Sequence, residues 1–125
     1  MKIVNYQKES RLIHDGFEDA FLKNNKEIKC PCCDGIIYFG LYNSEDLDVF
    51  DERKRKNIVG GIKGLKLIEG EIKEYRYKNS PLRVLKTKCS NGLHNILVVF
   101  TYKEIQPARY ESYLVGLFDD ESFKD

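Results

Sequence analysis

Two short clusters of metal-binding side chains lie far apart in this chain: Cys30-Pro-Cys-Cys33 and, much later, Cys89 with His94 five positions on. If both halves serve one centre, the fold must bring residue 30 against residue 90, which constrains the topology more than any other feature. A C-x2-C turn presents two sulfurs from one tight loop, and a C-x4-H turn adds a third sulfur and an imidazole. Pro31 fixes a backbone angle inside the first turn, and Asn91-Gly92 suits the left-handed conformation of a tight second turn. Cys30, Cys33, Cys89 and His94 are therefore predicted to hold one structural Zn2+ in a closed tetrahedral shell. Cys32 is a spare sulfur that could replace a neighbour, and His14 is a fallback for His94.

A chain of 125 residues is most simply one domain, long enough to bury a core yet small enough for a metal staple to matter. No run approaches the roughly 18 apolar residues that span a bilayer, and the opening Met1-Lys-Ile-Val-Asn-Tyr lacks a signal-peptide stretch. A cytoplasmic protein without a membrane partner is expected. In that reducing compartment four cysteines read as metal thiolates rather than disulfides.

The pattern along the chain predicts an α+β fold: a mostly antiparallel sheet with short N-terminal, middle and C-terminal helices. Residues 3–6 read as a short strand. Asp15 and Glu18 form a capping box for a helix over 16–24. Residues 35–42 are apolar on both faces and read as a central strand. Over 44–57, Ser44 can cap a helix with acids at its start and Arg53, Lys54, Arg55 and Lys56 at its end, in line with the helix dipole. Residues 62–68 and 71–78 read as a hairpin around Glu69-Gly70. Residues 82–89 and 95–105 are strands, the second placing Ile96, Val98, Phe100 and Tyr102 on one face. After Pro107, the residues Tyr110, Tyr113, Leu114, Leu117 and Phe118 recur with helical spacing.

With its two knuckles each between strand-like runs, the chain resembles the zinc-ribbon (zinc β-ribbon) fold group over residues 27–42 and 83–104. The residues that carry the likeness are Cys30-Pro-Cys-Cys33 and Cys89-Ser-Asn-Gly-Leu-His94. That group's usual C-P-x-C-G has Asp34 inserted before Gly35 here, and its usual second C-x2-C is a C-x4-H. The opening Cys30-Pro-Cys-Cys33 is also similar to the start of small CPCC domains, whose second cysteine pair has no counterpart here. The ribbon resemblance implies a structural metal and often contact with nucleic acid or a larger protein assembly. It makes residues 43–82 a basic insertion between the halves of the ribbon.

Charge is uneven although the net is only +1: residues 1–52 carry −5, 53–88 carry +9 and 89–125 carry −3. The basic third holds candidate nucleic-acid contacts in Arg53, Lys54, Arg55 and Lys56, and in Lys73, Tyr75, Arg76, Tyr77 and Lys78, where cations could hold phosphates and a ring could stack a base. The near-neutral total favours instead a non-enzymatic protein-interaction module, accessory, regulatory or immunity-like, with a protein partner. Nucleic-acid binding is the alternative. A C-P-x-C thiol oxidoreductase is the second, although Gly35-Ile-Ile-Tyr-Phe-Gly40 is poor material for the helix that activates such thiols. Phosphate-loop, nucleophile-elbow and deaminase patterns are absent from the sequence.

Overall fold

The computed structural model describes residues 4–17, 19–23, 26–69 and 74–123, with backbone alone for 19, 20, 122 and 123. In chain order the elements are β1 (Arg11–Gly16), α1 (Asp19–Leu22), β2 (Lys26–Lys29), β3 (Ile36–Phe39), β4 (Glu45–Asp46), a 3-10 turn (Leu47–Val49) and α2 (Glu52–Gly60). Then follow β5 (Leu65–Ile68), β6 (Glu74–Tyr77), β7 (Ser80–Lys88), β8 (Asn95–Thr101), β9 (Lys103–Gln106), β10 (Arg109–Asp119) and a closing 3-10 turn (Asp120–Phe123). The architecture is essentially all-β, which corrects the α+β expectation.

One antiparallel sheet runs β1-β10-β8-β7-β6-β5, with β4 added beside β7 and β9 beside β10, while β2 and β3 pair in a separate two-stranded sheet. β8 lies at the centre, and its alternation explains the layering. Ile96, Val98 and Phe100 face one core with Phe21, Ile37, Phe39 and Leu85, and half-buried Tyr102 packs against it. Leu97 and Val99 face the other core, with Leu47, Phe50, Ile58 and Ile62. A strand covered on both faces carries no polar alternation, so it reads as a continuous apolar run. Full burial of each large side chain, such as Phe21, Phe39, Phe100 or Phe118, contributes about 1.5–3 kcal/mol.

The C-terminal helix expected after Pro107 is strand β10. Its register against β8 slips between Leu114 and Gly116, so Val115 is an extra residue in a bulge. Leu114 and Leu117 therefore point to the first core, and Val115 and Phe118 to the second. The extra residue reverses the period of two and imitates helical spacing. Gly116 makes the bulge fit, since a β-carbon there would stand 2.7 Å from the Phe118 ring and 3.2 Å from the Val99 β-carbon.

The middle helix starts later than expected. Asp51, not Ser44, caps α2, its carboxylate accepting from Lys54 N at 2.8 Å. Ser44 donates to Leu41 O, and the residues after it enter β4 and the 3-10 turn. The N-terminal helix shrinks to the single turn of α1. β3 is peripheral, alternating exposed and buried residues, because only Ile37 and Phe39 turn to the core. Residues 4–6 form no strand, although Tyr6 N donates to Leu117 O at 2.9 Å; Ile3 lies outside the described residues. The β5–β6 hairpin forms with Leu65 opposite Tyr77, and the expected turn at Gly70 lies outside the described residues. No helix of the described residues is long and apolar enough to cross a membrane.

Candidate metal centre

Both cysteine clusters sit in hairpin turns. Cys30 directly follows β2, and the turn closes with Cys30 N donating to Gly35 O at 2.9 Å. Cys89 directly follows β7 and His94 directly precedes β8, closed by Cys89 N to His94 O at 3.2 Å and Gly92 N to Cys89 O at 2.8 Å. Gly92 has φ +70°, the left-handed value this turn requires. Ser90 joins the two turns: its N–H donates to Ile36 O at 2.8 Å, and its hydroxyl oxygen accepts from Ile36 N at 2.9 Å. Gly35 keeps the junction close, since a β-carbon there would meet Ser90 Oγ at 3.1 Å and Asn91 Nδ2 at 3.2 Å.

The four predicted ligands converge. Their Sγ and imidazole nitrogen atoms all lie within 4.8 Å of one another. Cys33 Sγ is 3.7 Å from Cys89 Sγ, and His94 Nδ1 is 3.7 Å from Cys89 Sγ and 3.9 Å from Cys30 Sγ. Tetrahedral zinc, with bonds of about 2.3 Å to sulfur and about 2.0 Å to nitrogen, sets neighbouring ligand atoms about 3.5–3.8 Å apart. These three distances lie close to that size, and the four residues could hold one metal ion. Cys30 and Cys89 are buried, Cys33 and His94 half-buried.

Hydrogen bonds to sulfur prepare the thiolate forms. Cys33 Sγ accepts from Gly35 N at 3.3 Å and from Asn91 Nδ2 at 3.5 Å. Among the four, burial pushes the Cys30 thiol up to about 11 against weaker backbone hydrogen bonds from Cys32 and Cys33. Burial also works to raise Cys89, but hydrogen bonds from His94 and from the backbone of His94 and Leu93 outweigh it and bring the thiol down to about 6. The Gly35 N–H is the main cause that lowers Cys33, and the Cys89 sulfur is the main cause that raises His94. The contact between Cys89 and His94 thus lowers the thiol and raises the imidazole together. A bound cation replaces their protons and draws all three sulfurs into the thiolate form.

Cys32 is exposed and lies outside the quartet. His14 is also outside it: the ring is buried, hydrogen-bonded through Nε2 to Phe17 O at 2.9 Å and stacked on Phe21 at 5.2 Å. The fallback ligand is a core histidine.

The candidate nucleic-acid residues are distributed over two elements. On α2, Lys54 Nζ lies 2.8 Å from Asp120 Oδ1 and above the Phe50 ring, Lys56 pairs with Glu52 at 3.0 Å, and Arg55 donates to Phe50 O. Arg53 shares the same helix and also has a partner. On β6 and the turn after it, Arg76 pairs with Glu74 at 3.0 Å and Lys78 sits over the Tyr113 ring at 4.5 Å. The Tyr77 ring meets Tyr113, and half-buried Tyr75 packs on the second core. Lys73 lies outside the described residues. Sequence reasoning missed Ser90 and Asn91 as the parts that join the two turns. Their signal was the polar Ser90-Asn91 pair inside the second knuckle, of which Asn91 alone enters the sequence reading, as turn chemistry with Gly92.

Compared with protein-family models, curated proteins and solved structures, the chain matches none of them.

Proposed function

We propose that Cys30, Cys33, Cys89 and His94 bind one structural Zn2+ which clasps the β2–β3 hairpin to the β7–β8 hairpin, and that the resulting single domain is a non-enzymatic interaction module. The observation that carries the metal is the spacing of the four ligand atoms, 3.7–3.9 Å along the edges given above, from two segments 56 positions apart. Three thiolates and an imidazole suit zinc by ligand softness and leave no open coordination position for water, which favours a structural over a hydrolytic role. Two hairpin turns that bring Cys30, Cys33, Cys89 and His94 together also support the zinc-ribbon resemblance. The four free thiols favour a reducing compartment such as the cytoplasm.

An interaction role is favoured over nucleic-acid binding by the net charge of only +1, and four of the basic third's cations, Lys54, Lys56, Arg76 and Arg83, each pair with a carboxylate. Paired cations release few counterions from a polyanion. The oxidoreductase reading is disfavoured, since strand β3 rather than a helix follows Cys33 and burial holds the Cys30 thiol high.

Elemental analysis of the purified chain is expected to give one zinc per molecule, and replacement by Co2+ a visible spectrum of tetrahedral thiolate coordination. Absence of both signals removes the metal reading. Capture of a stoichiometric protein from the native host by the zinc-loaded chain supports the interaction role; salt-sensitive binding to RNA or DNA in its place supports the alternative.

A further inference from the structure

Away from the cysteines, the segment before β1 forms one wall of a cleft of about 530 Å³, a size within the range of small-molecule sites. Asn5 fixes that wall. Its buried amide donates to Gly61 O at 2.8 Å and to Val115 O at 3.1 Å, while its side-chain oxygen accepts from Leu117 N and Gln7 N, both at 3.0 Å. Three of these hydrogen bonds hold the segment against the β10 bulge and the turn after α2, and the fourth, from Gln7 N, fixes the segment's own turn, so the cleft is formed before anything enters it.

Its lining has two characters. Val4, Ile62 and Val115 provide an apolar surface. Lys8 from the first wall and Lys63 from the turn after α2 also line it, and among the described residues neither pairs with a carboxylate. This contrasts with the paired cations of α2 and β6. Glu9 lines the cleft too, so its three charged side chains sum to +1. Ser10 Oγ and the Tyr77 hydroxyl stand 2.5 Å apart at the same place. Whichever of them donates, the other keeps a proton to offer a further acceptor.

We propose that this cleft binds a small organic anion, with a phosphate or carboxylate head held by Lys8, Lys63 and the Ser10–Tyr77 hydroxyls and an apolar body against Ile62 and Val115. The site is independent of the metal centre. Fixed walls reduce the ordering cost of binding, and two ammonium groups from separate segments give the head charge-assisted hydrogen bonds.

The test is amide chemical-shift titration of the zinc-loaded full chain with phenyl phosphate and with benzoate, beside inorganic phosphate and phenol as the isolated head and body. Saturable shifts centred on Lys8, Ser10, Gly61 and Lys63 are expected, with phenyl phosphate or benzoate binding at least about tenfold tighter than either isolated part. The tighter of the two identifies the head group. Lys8→Gln and Lys63→Gln, whose folds are checked by their own spectra, are each expected to weaken binding several-fold. The proposal is overturned if no probe gives saturable shifts, if the shifts map to α2 or the knuckles, or if both variants bind as the parent does.

Discussion

Cys32 stands between two ligands yet takes no part in their quartet, and that placement separates chemistry from composition. Cys32→Ser is expected to keep one metal per chain and a melting temperature within about 2 °C of the parent. Cys89→Ser removes a buried sulfur that two other ligand atoms approach at 3.7 Å, and its metal content is expected to fall well below one per chain, with aggregation or unfolding. Structural zinc contributes folding free energy of order 10 kcal/mol in small modules. Full metal content and stability in Cys89→Ser, by elemental analysis and calorimetry, would remove this ligand from the site. The cluster of Cys30, Cys33, Cys89 and His94 was legible because soft side chains at knuckle spacing carry their chemistry locally. His14 was not legible, since its role depends on Phe21 stacking beneath it and on a carbonyl three residues on.

At the scale of elements, β10 shows how a bulged strand can look helical. Tyr113, Leu114, Leu117 and Phe118 give helical intervals only because Val115 interrupts the alternation, and no local rule distinguishes a bulge from a turn of helix. Gly116 within the apolar stripe was the clue. Gly116→Ala is expected to cost about 1–3 kcal/mol, read from urea unfolding, because its new methyl meets the packed Phe118 and Val99 side chains. β7 and the run Asn95–Thr101 were legible from their aliphatic and β-branched residues, but the strand expected over 95–105 is two, since β8 ends at Thr101 and β9 turns to pair with β10. α2 was placed several residues early because charge order marks polarity along a helix but not its first turn.

The outer pair β1 and β10 has its own electrostatic tie, Arg109 to Asp15, with contacts at 2.7 and 2.8 Å. The guanidinium hydrogen bond holds the Asp15 carboxyl below its ordinary 3.8. A carboxyl that is more acidic in the folded chain contributes stability that is complete above the unfolded value and fades as pH falls through the folded one. Asp15→Asn is therefore expected to flatten the decline of stability below about pH 4, measured by urea unfolding across that range. An unchanged slope would show that the pair adds nothing.

For the whole molecule, the β2–β3 sheet is joined to the main sheet through the first core, the Ser90–Ile36 hydrogen bonds and the shared ligand set. Chelation is expected to lower the melting temperature by more than about 10 °C, as loss of several kcal/mol does in a domain of this size. The loss should be uneven. In hydrogen exchange, amides of β2 and β3 are expected to lose protection first, while those of β8, enclosed by both cores, retain it. Equal loss in all strands would show that the ion supports the entire sheet rather than one layer.

The distance between the half-sites also has a consequence during biosynthesis. At about 5–20 residues per second, the ribosome finishes Cys89 some 3–11 s after Cys33. Throughout that interval the nascent polypeptide displays three neighbouring thiols without Cys89 and His94, the side chains that would complete their shell. A cation captured then would be held incompletely and open to exchange, so filling of the proposed site would belong to the moment when translation has delivered the second turn.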